Sequence, residues 1–134
     1  MEFVIAFGGA PQDVTIILSG VATPEGFRLF NEARLSDERF RKGLVILLDA
    51  SSLDTSQMSE SMLQTAVEPM LERELIDPPL ALAIVAPDAR TFKDAIITRA
   101  HLGGQRSHRA VFASREEALF WLKGQRRRAD SAQS

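Results

Sequence analysis

Short, unbroken runs of apolar residues are separated along the chain by stretches that have the apolar spacing of amphipathic helices. Two runs, Phe3–Phe7 and Val14–Leu18, flank a turn-rich segment and predict an opening antiparallel hairpin. Three later runs, at 44–48, 80–86 and 109–113, lie next to helical patterns. An uninterrupted apolar run is typical of a strand that is buried on both faces of a parallel sheet.

The first predicted helix lies between the second and third of these strands. Thr23 is a good capping residue and Pro24 suits the first helical position. A cation followed by glycine predicts the end of this helix at Lys42–Gly43. Its buried face is predicted to carry four apolar residues: Phe27, Phe30, Ala33 and Leu35.

The second predicted helix spans Asp54–Leu75. Asp54 and Gln57 have the spacing of a capping box. Its apolar residues recur at helical intervals, namely Met58, Met62, Ala66, Met70 and Leu71. Such a stripe usually packs against the sheet, although methionine also suits an adaptable partner-binding surface. Pro69 lies within the pattern and is expected to kink the helix or split it in two.

Two more helices are predicted in the second half of the chain. Asp88 can cap a helix that ends at Gly103–Gly104. Ser114 and Glu117 form a capping box for the last helix, which is expected to end at Gly124. In this last helix Phe120 lies beside Trp121, and the two rings cannot both point inward. One of them is therefore expected to be exposed, which makes the helix a candidate surface for homodimer formation.

The order of elements predicts an α/β fold with a mixed five-stranded sheet, in which an N-terminal antiparallel hairpin is followed by parallel βα units. The length of 134 residues suits one domain, predicted at 1–124 with a polar tail at 125–134. Ligands and partners of such sheets are met beyond the carboxyl ends of the strands. The segment Asp49–Met58, which follows the third strand, is therefore the first place to look for a site.

Composition excludes several classes of function. A net charge of -2 gives no basic face for nucleic acid. The absence of cysteine excludes disulfides, thiolate catalysis and cysteine-bound metals. The N-terminus lacks the features of a signal peptide, and the apolar runs are too short for a membrane span, so a cytoplasmic location is expected.

Candidate catalytic and metal-binding groups are few. His101 and His108 lie seven residues apart across a glycine turn, which is not a compact metal-ligand spacing. We find no nucleophile elbow, phosphate-binding loop or dinucleotide-binding glycine motif. The chain is therefore expected to be no enzyme and to need no cofactor or metal.

The order of strands and helices, together with two sequence segments, resembles the SpoIIAA-like fold of the STAS domain family, which includes anti-sigma-factor antagonists. The segment Leu47–Met58 is similar to the family's strand that ends in Asp and leads to an Asp-Ser-Ser-Gly-Leu motif, with Asp54-Thr55-Ser56-Gln57-Met58 at the position of that motif. The segment Val111–Leu122 is similar to the family's final strand and helix.

The resemblance implies a non-catalytic regulatory module that binds another protein, such as a kinase-type anti-sigma factor. It implies phosphorylation of Thr55, with Ser56 beside it as a second acceptor. The partner-binding residues are then predicted to be Asp49, Asp54, Gln57, Met58 and Met62. Two alternatives stay open: the Asp54-Thr-Ser stretch simply caps a helix, or the domain binds a small apolar or lipid-like ligand between the sheet and the second helix.

Overall fold

A computed structural model describes residues 1–86 and 108–133 of the chain. Its strands form one five-stranded sheet in the order β1-β2-β3-β4-β5. The first pair is antiparallel, and the remaining neighbours are parallel. The predicted mixed α/β sheet with an opening hairpin is confirmed.

Several strands and helices are longer or shorter than the sequence predicted. The strands are β1 (Glu2–Phe7), β2 (Val14–Val21), β3 (Val45–Asp54), β4 (Ala81–Val85) and β5 (Arg109–Phe112). The helices of the described residues are α1 (Pro24–Ser36), α2 (Glu60–Ile76) and α3 (Arg115–Gln133). The helix predicted from Asp88, together with His101, lies outside the described residues.

Alternation along the central strands divides the apolar core between the two faces of the sheet. On β3, Ile46 and Leu48 contribute to one cluster, which also contains Phe27 and Phe30 of α1 and Leu63 of α2. The intervening Val45 and Leu47 face the other way and pack with Ala118 and Leu122 of α3. Because both faces are covered, the first part of β3, up to Leu48, is apolar without interruption, as the sequence predicted.

The first helix begins where it was predicted but ends earlier. The hydroxyl of Thr23 accepts a hydrogen bond from the backbone N–H of Gly26 at 3.0 Å. The predicted end at Gly43 is wrong, because the helix stops at Ser36 and the chain turns at Asp37. This turn brings Phe40 against Phe7 of β1, with 5.2 Å between the ring centroids.

The buried face of α1 also differs from the prediction. Phe27 and Phe30 are buried, but Leu35 is 48% exposed. Two polar side chains, Asn31 and Arg34, are buried in addition to the two rings. An apolar-only pattern missed them because both lie on the helical stripe that continues from Phe27 and Phe30.

The second helix starts later than predicted, so the capping box of Asp54 and Gln57 is wrong. Strand β3 continues to Asp54 because it pairs with the end of β2, where Val21 is the partner of Asp54. The cap is Ser59, whose hydroxyl accepts from the backbone N–H of Met62 at 3.2 Å. Helix α2 runs through Pro69 as one element, so of the two predicted effects, a kink or a split, the split does not occur.

The last helix does not end at Gly124. It continues to Gln133, so the segment after Gly124 is helical and not a frayed tail. Arg126 of this extension donates to a carboxylate oxygen of Asp13 at 2.7 Å and to the carbonyl of Pro11 at 3.2 Å. These contacts offset the cost of about 1 kcal/mol that glycine imposes within a helix.

No helix in the described ranges is long and apolar enough to cross a lipid bilayer.

Candidate functional site

Asp49 lies on the face of the sheet that α3 covers. It pairs in register with Val85 of β4, which belongs to the α3 side of the core. Its carboxylate accepts hydrogen bonds from the backbone N–H of Ser51 at 3.0 Å and from the Ser51 hydroxyl at 2.5 Å. Arg115, at the start of α3, lies 3.8 Å from the other carboxylate oxygen. With 8% of its surface exposed, Asp49 is a buried and locally satisfied group.

The two predicted phosphoacceptors lie in a turn between β3 and α2 instead of at a helix start. Thr55 is half-buried, whereas Ser56 and Gln57 are exposed. The carboxylate of Asp54 accepts a hydrogen bond from the backbone N–H of Ser56 at 2.9 Å. Hydrogen bonding to the Ser56 side chain, and secondly to its backbone, lowers the pKa of Asp54. The acid and hydroxyl of this stretch therefore stabilise a turn.

The predicted partner-binding methionines lie in different environments. Met58 is 5% exposed and belongs to the main core cluster. Met62 is 39% exposed and lies on the outer side of α2. The predicted set is thus divided among the α3 face, an exposed turn, the core and the outer surface of α2, and it does not form one continuous surface.

A groove between α1 and α2 brings the exposed Met62 together with other apolar side chains. Its free volume is about 450 Å³, within the range of roughly 300–1,000 Å³ that small-molecule sites occupy. The apolar lining comprises Pro24, Phe27, Leu35, Met62, Ala66 and Pro69. We call this feature the α1–α2 groove.

Polar groups of the α1–α2 groove are mostly engaged with one another. The Asn31 side-chain amide donates to the carbonyl of Ala66 at 3.1 Å and ties the two helices together. Arg28 forms ion pairs with Glu25 and Glu32 along the exposed rim. An apolar group bound in the groove would therefore contact mostly apolar side chains and would not cover an unpaired charge of the lining.

Sequence reasoning found part of this groove. Met62 and Pro69 were singled out from the sequence. One of the alternatives was an apolar site between the sheet and the second helix, whereas the groove lies between α1 and α2. Leu35 was assigned to the core, and Asn31 was not considered. The available signal was Asn31 itself, since an amide on an apolar helical stripe is expected to have a specific partner.

The remaining candidate groups are histidines and clusters of side chains that could bind a metal ion. His108 is exposed at the start of β5. Within residues 1–86 and 108–133, no three His, Asp or Glu side chains are grouped so that they could hold a metal ion.

Comparison with known proteins supports the fold. No family model matches the sequence. No curated protein matches it either. A crystal structure of an uncharacterized DUF3478-family protein from Shewanella loihica PV-4, described as having a SpoIIAA-like fold, is similar over 90% of this chain and 93% of that chain. The two share 19% sequence identity and superpose with a TM-score of 0.54. The chain therefore has a SpoIIAA-like fold.

Proposed function

We propose that this SpoIIAA-like domain is a non-catalytic binding module that takes a small, largely apolar ligand in the α1–α2 groove. The observation that carries the proposal is the groove itself, which has about 450 Å³ of free volume and a mostly apolar lining. Concave, mostly apolar sites with a few polar groups are typical of small-molecule binding. Since a fold alone supports many functions, the support for this function comes from the groove and not from the similarity.

The chemistry of the lining defines the class of ligand. Leu35 and Met62 stay exposed on opposite helices, at 48% and 39%, so a bound hydrocarbon chain would cover apolar surface on both sides. Burial of apolar surface contributes roughly 25 cal/mol per Å². The rim of the groove carries the charged side chains of Arg28 and Glu32 beside this apolar lining. A lipid-like molecule, with an apolar chain and one polar end, matches both parts.

Native mass spectrometry and thermal unfolding test this proposal. We expect a co-purifying lipid-like species, or a rise in the melting temperature when 1-decanol or related chain alcohols are added, because a ligand of the native state stabilises it. The absence of any bound species together with no thermal shift across the panel would contradict the proposal.

Helix α1 offers a matched pair of variants for this experiment. Leu35 and Leu29 are almost equally exposed, at 48% and 47%. Leu35 lines the groove, and Leu29 does not. Leu35→Gln is expected to abolish most of the decanol-induced shift, whereas Leu29→Gln should leave it unchanged. Equal effects of the two variants would indicate general adsorption to apolar surface.

A second candidate function is a protein-binding switch at the turn before α2. The exposure of Ser56 favours it, because a kinase needs an accessible hydroxyl. Phosphorylation adds up to two negative charges, which would lie beside the Asp54 carboxylate and repel it. The turn adjoins the start of α1, since the backbone N–H of Ala22 donates to the carbonyl of Asp54 at 2.8 Å. The partner implied by the resemblance is a kinase-type anti-sigma factor.

Phosphopeptide mapping of residues 44–73, isolated from native cells under several growth and stress conditions, tests the switch. Phosphate on Ser56 or Thr55 supports it, and Thr55→Glu and Ser56→Glu should then weaken binding of the partner. An unmodified segment under every condition would leave the turn with a structural role alone.

A further inference from the structure

A buried guanidinium lies at the end of the sheet remote from the turn before α2. Arg34, in the last turn of α1, is 7% exposed. Across the residues that the structure describes, its side chain has no hydrogen-bond acceptor and no carboxylate within 4.0 Å. A guanidinium carries five N–H donors and normally finds acceptors when it is buried. None of its nitrogen atoms is fully enclosed, so the donors that lack a partner among the described residues face the little solvent that reaches them.

The carboxylates near Arg34 are already engaged with other arginines. Glu74 forms a buried ion pair with Arg109. Asp77 pairs with Arg73 at 2.9 Å, and Asp37 pairs with Arg39 at 2.7 Å. Among residues 1–86 and 108–133, these pairings leave no carboxylate for Arg34.

The other contacts of Arg34 do not replace an acceptor. The ring of Phe40 lies 5.4 Å from the guanidinium carbon and interacts with its charge, but it accepts no conventional hydrogen bond. Burial, and secondly the charge of Arg73, lower the pKa of Arg34 to about 10. The group is thus cationic at neutral pH in a place that disfavours cations.

Arg34 borders a narrow cleft between the ends of α1 and α2. The same cleft has a free volume of about 20 Å³ and is also lined by two arginines and two carboxylates, namely Arg41, Arg73, Asp37 and Asp77. Since each carboxylate is paired with an arginine, Arg34 and Arg41 are the lining cations that have no carboxylate partner among the described residues. That volume admits a group the size of one water molecule, for which roughly 10–15 Å³ is needed. One oxygen of a larger anion fits inside, while the rest of the anion lies at the mouth.

We propose that this cleft is a site for a small oxyanion, phosphate or carboxylate in chemistry, with one oxygen bound by Arg34 and the outer part of the anion facing Arg41. Planar guanidinium groups match the oxygens of both anions and form charge-assisted hydrogen bonds with them. The cleft shares Leu35 with the α1–α2 groove, but Arg34 does not line the groove, and a neutral ligand of the groove does not require the anion site.

Thermal unfolding of the full chain tests the site. Sodium phosphate and sodium acetate are added in separate series, and sodium chloride at equal ionic strength is the reference. The wild type is expected to show a rise in melting temperature that grows with the logarithm of the oxyanion concentration. Arg34→Met should lose that rise and keep the general salt effect, while being at least as stable as the wild type without oxyanion. Arg28→Met, at an exposed ion-paired position of the same helix, should retain the rise.

Two results would overturn the proposal. One is an equal response of the wild type and Arg34→Met to phosphate and to acetate. The other is a chloride response as large as the oxyanion response. A measurement on the wild type alone avoids dependence on the folding of the variant: the Nε–Hε resonance of Arg34 should shift and saturate with phosphate or acetate, and an unmoved resonance would likewise reject the site.

Discussion

Asp13 connects three parts of the fold, and its replacement provides a quantitative test of the structure. One carboxylate oxygen accepts from the backbone N–H of Val45 at 2.8 Å, at the start of β3. The other accepts from Arg126 in the extension of α3 at 2.7 Å. The backbone N–H of Asp13 also donates to the carbonyl of Val45 at 2.8 Å. A single side chain thus holds the hairpin turn, the central strand and the last helix together.

The expected cost of Asp13→Ala follows from these two contacts. Val45 is completely buried, so its N–H would lose an acceptor in a place that water reaches poorly. Such a loss costs about 1–3 kcal/mol. The side chains of the Arg126–Asp13 ion pair are each about one-third exposed. Ion pairs that are partly open to solvent contribute roughly 0–1 kcal/mol to the free energy of unfolding. We therefore expect Asp13→Ala to lower the free energy of unfolding by about 2–3 kcal/mol.

Equilibrium unfolding in urea measures this change. With an m-value of roughly 1.5–2 kcal/mol/M, the midpoint should fall by about 1–2 M urea at constant m. Asp13→Asn keeps an oxygen that can accept from Val45, and Arg126→Ala leaves that bond intact, so each should cost about 1 kcal/mol or less. If Asp13→Ala were no more costly than Asp13→Asn, the contact with Val45 would not stabilise the fold as argued.

Three further predictions concern the turn before α2 and the last helix. Ser59→Ala should destabilise the protein by about 1 kcal/mol through loss of the cap, and Asp54→Ala by less; the reverse order in urea unfolding would restore Asp54 as the cap. Ser56→Ala should raise the pKa of Asp54 toward its ordinary value, measured by an NMR titration of its carboxylate, because the main cause of the lowered pKa is the Ser56 side chain. Because the pKa of Asp54 is lowered in the folded state, its ionised carboxylate stabilises the fold at pH values above its pKa in the unfolded chain, and this stabilisation is lost as the pH falls through its pKa in the folded protein. An unchanged titration of Asp54 in Ser56→Ala would reject the contribution of Ser56. Phe120 is 81% exposed, so Phe120→Ser should weaken self-association in sedimentation experiments, and a wild type that stays monomeric at all concentrations would remove this helix as a dimer surface.

The strands and their succession along the chain could be predicted because the sequence signal for a buried strand is local. The run at 44–48 has no polar interruption, and both faces of β3 are indeed covered. The caps Thr23 and Ser114 were also predicted correctly, since each side chain accepts from a backbone N–H three residues later. These features depend on residues a few positions apart in the sequence.

The helix boundaries that were wrong depend on contacts between distant residues. Asp54 belongs to a strand because β2 extends far enough to pair with it. The last helix passes Gly124 because Arg126 reaches Pro11 and Asp13, more than 100 residues earlier. Local propensity favoured a cap at the first position and a stop at the second, and tertiary pairing prevailed at both.

The candidate site was predicted in its components but not in its location. Met62 was noticed as a helical methionine, yet the start of α2 was needed to separate it from the buried Met58, and the register of α2 to separate it from the buried Met70. The opposite wall contains Leu35, which lies on the same helix as the buried Phe30 but on its exposed side. A groove between two helices depends on their relative rotation, which a one-dimensional pattern does not specify.

Carbon-13 labelling of the methionine methyl groups gives the most direct test of ligand binding in the α1–α2 groove. The chain has 4 methionines, of which Met62 lines the groove while Met58 and Met70 lie in the core. During titration with 1-decanol, a neutral chain alcohol, we predict that the Met62 methyl resonance shifts and saturates while those of Met58 and Met70 stay in place. An unmoved Met62 resonance, or equal shifts of all three, would contradict the proposed site.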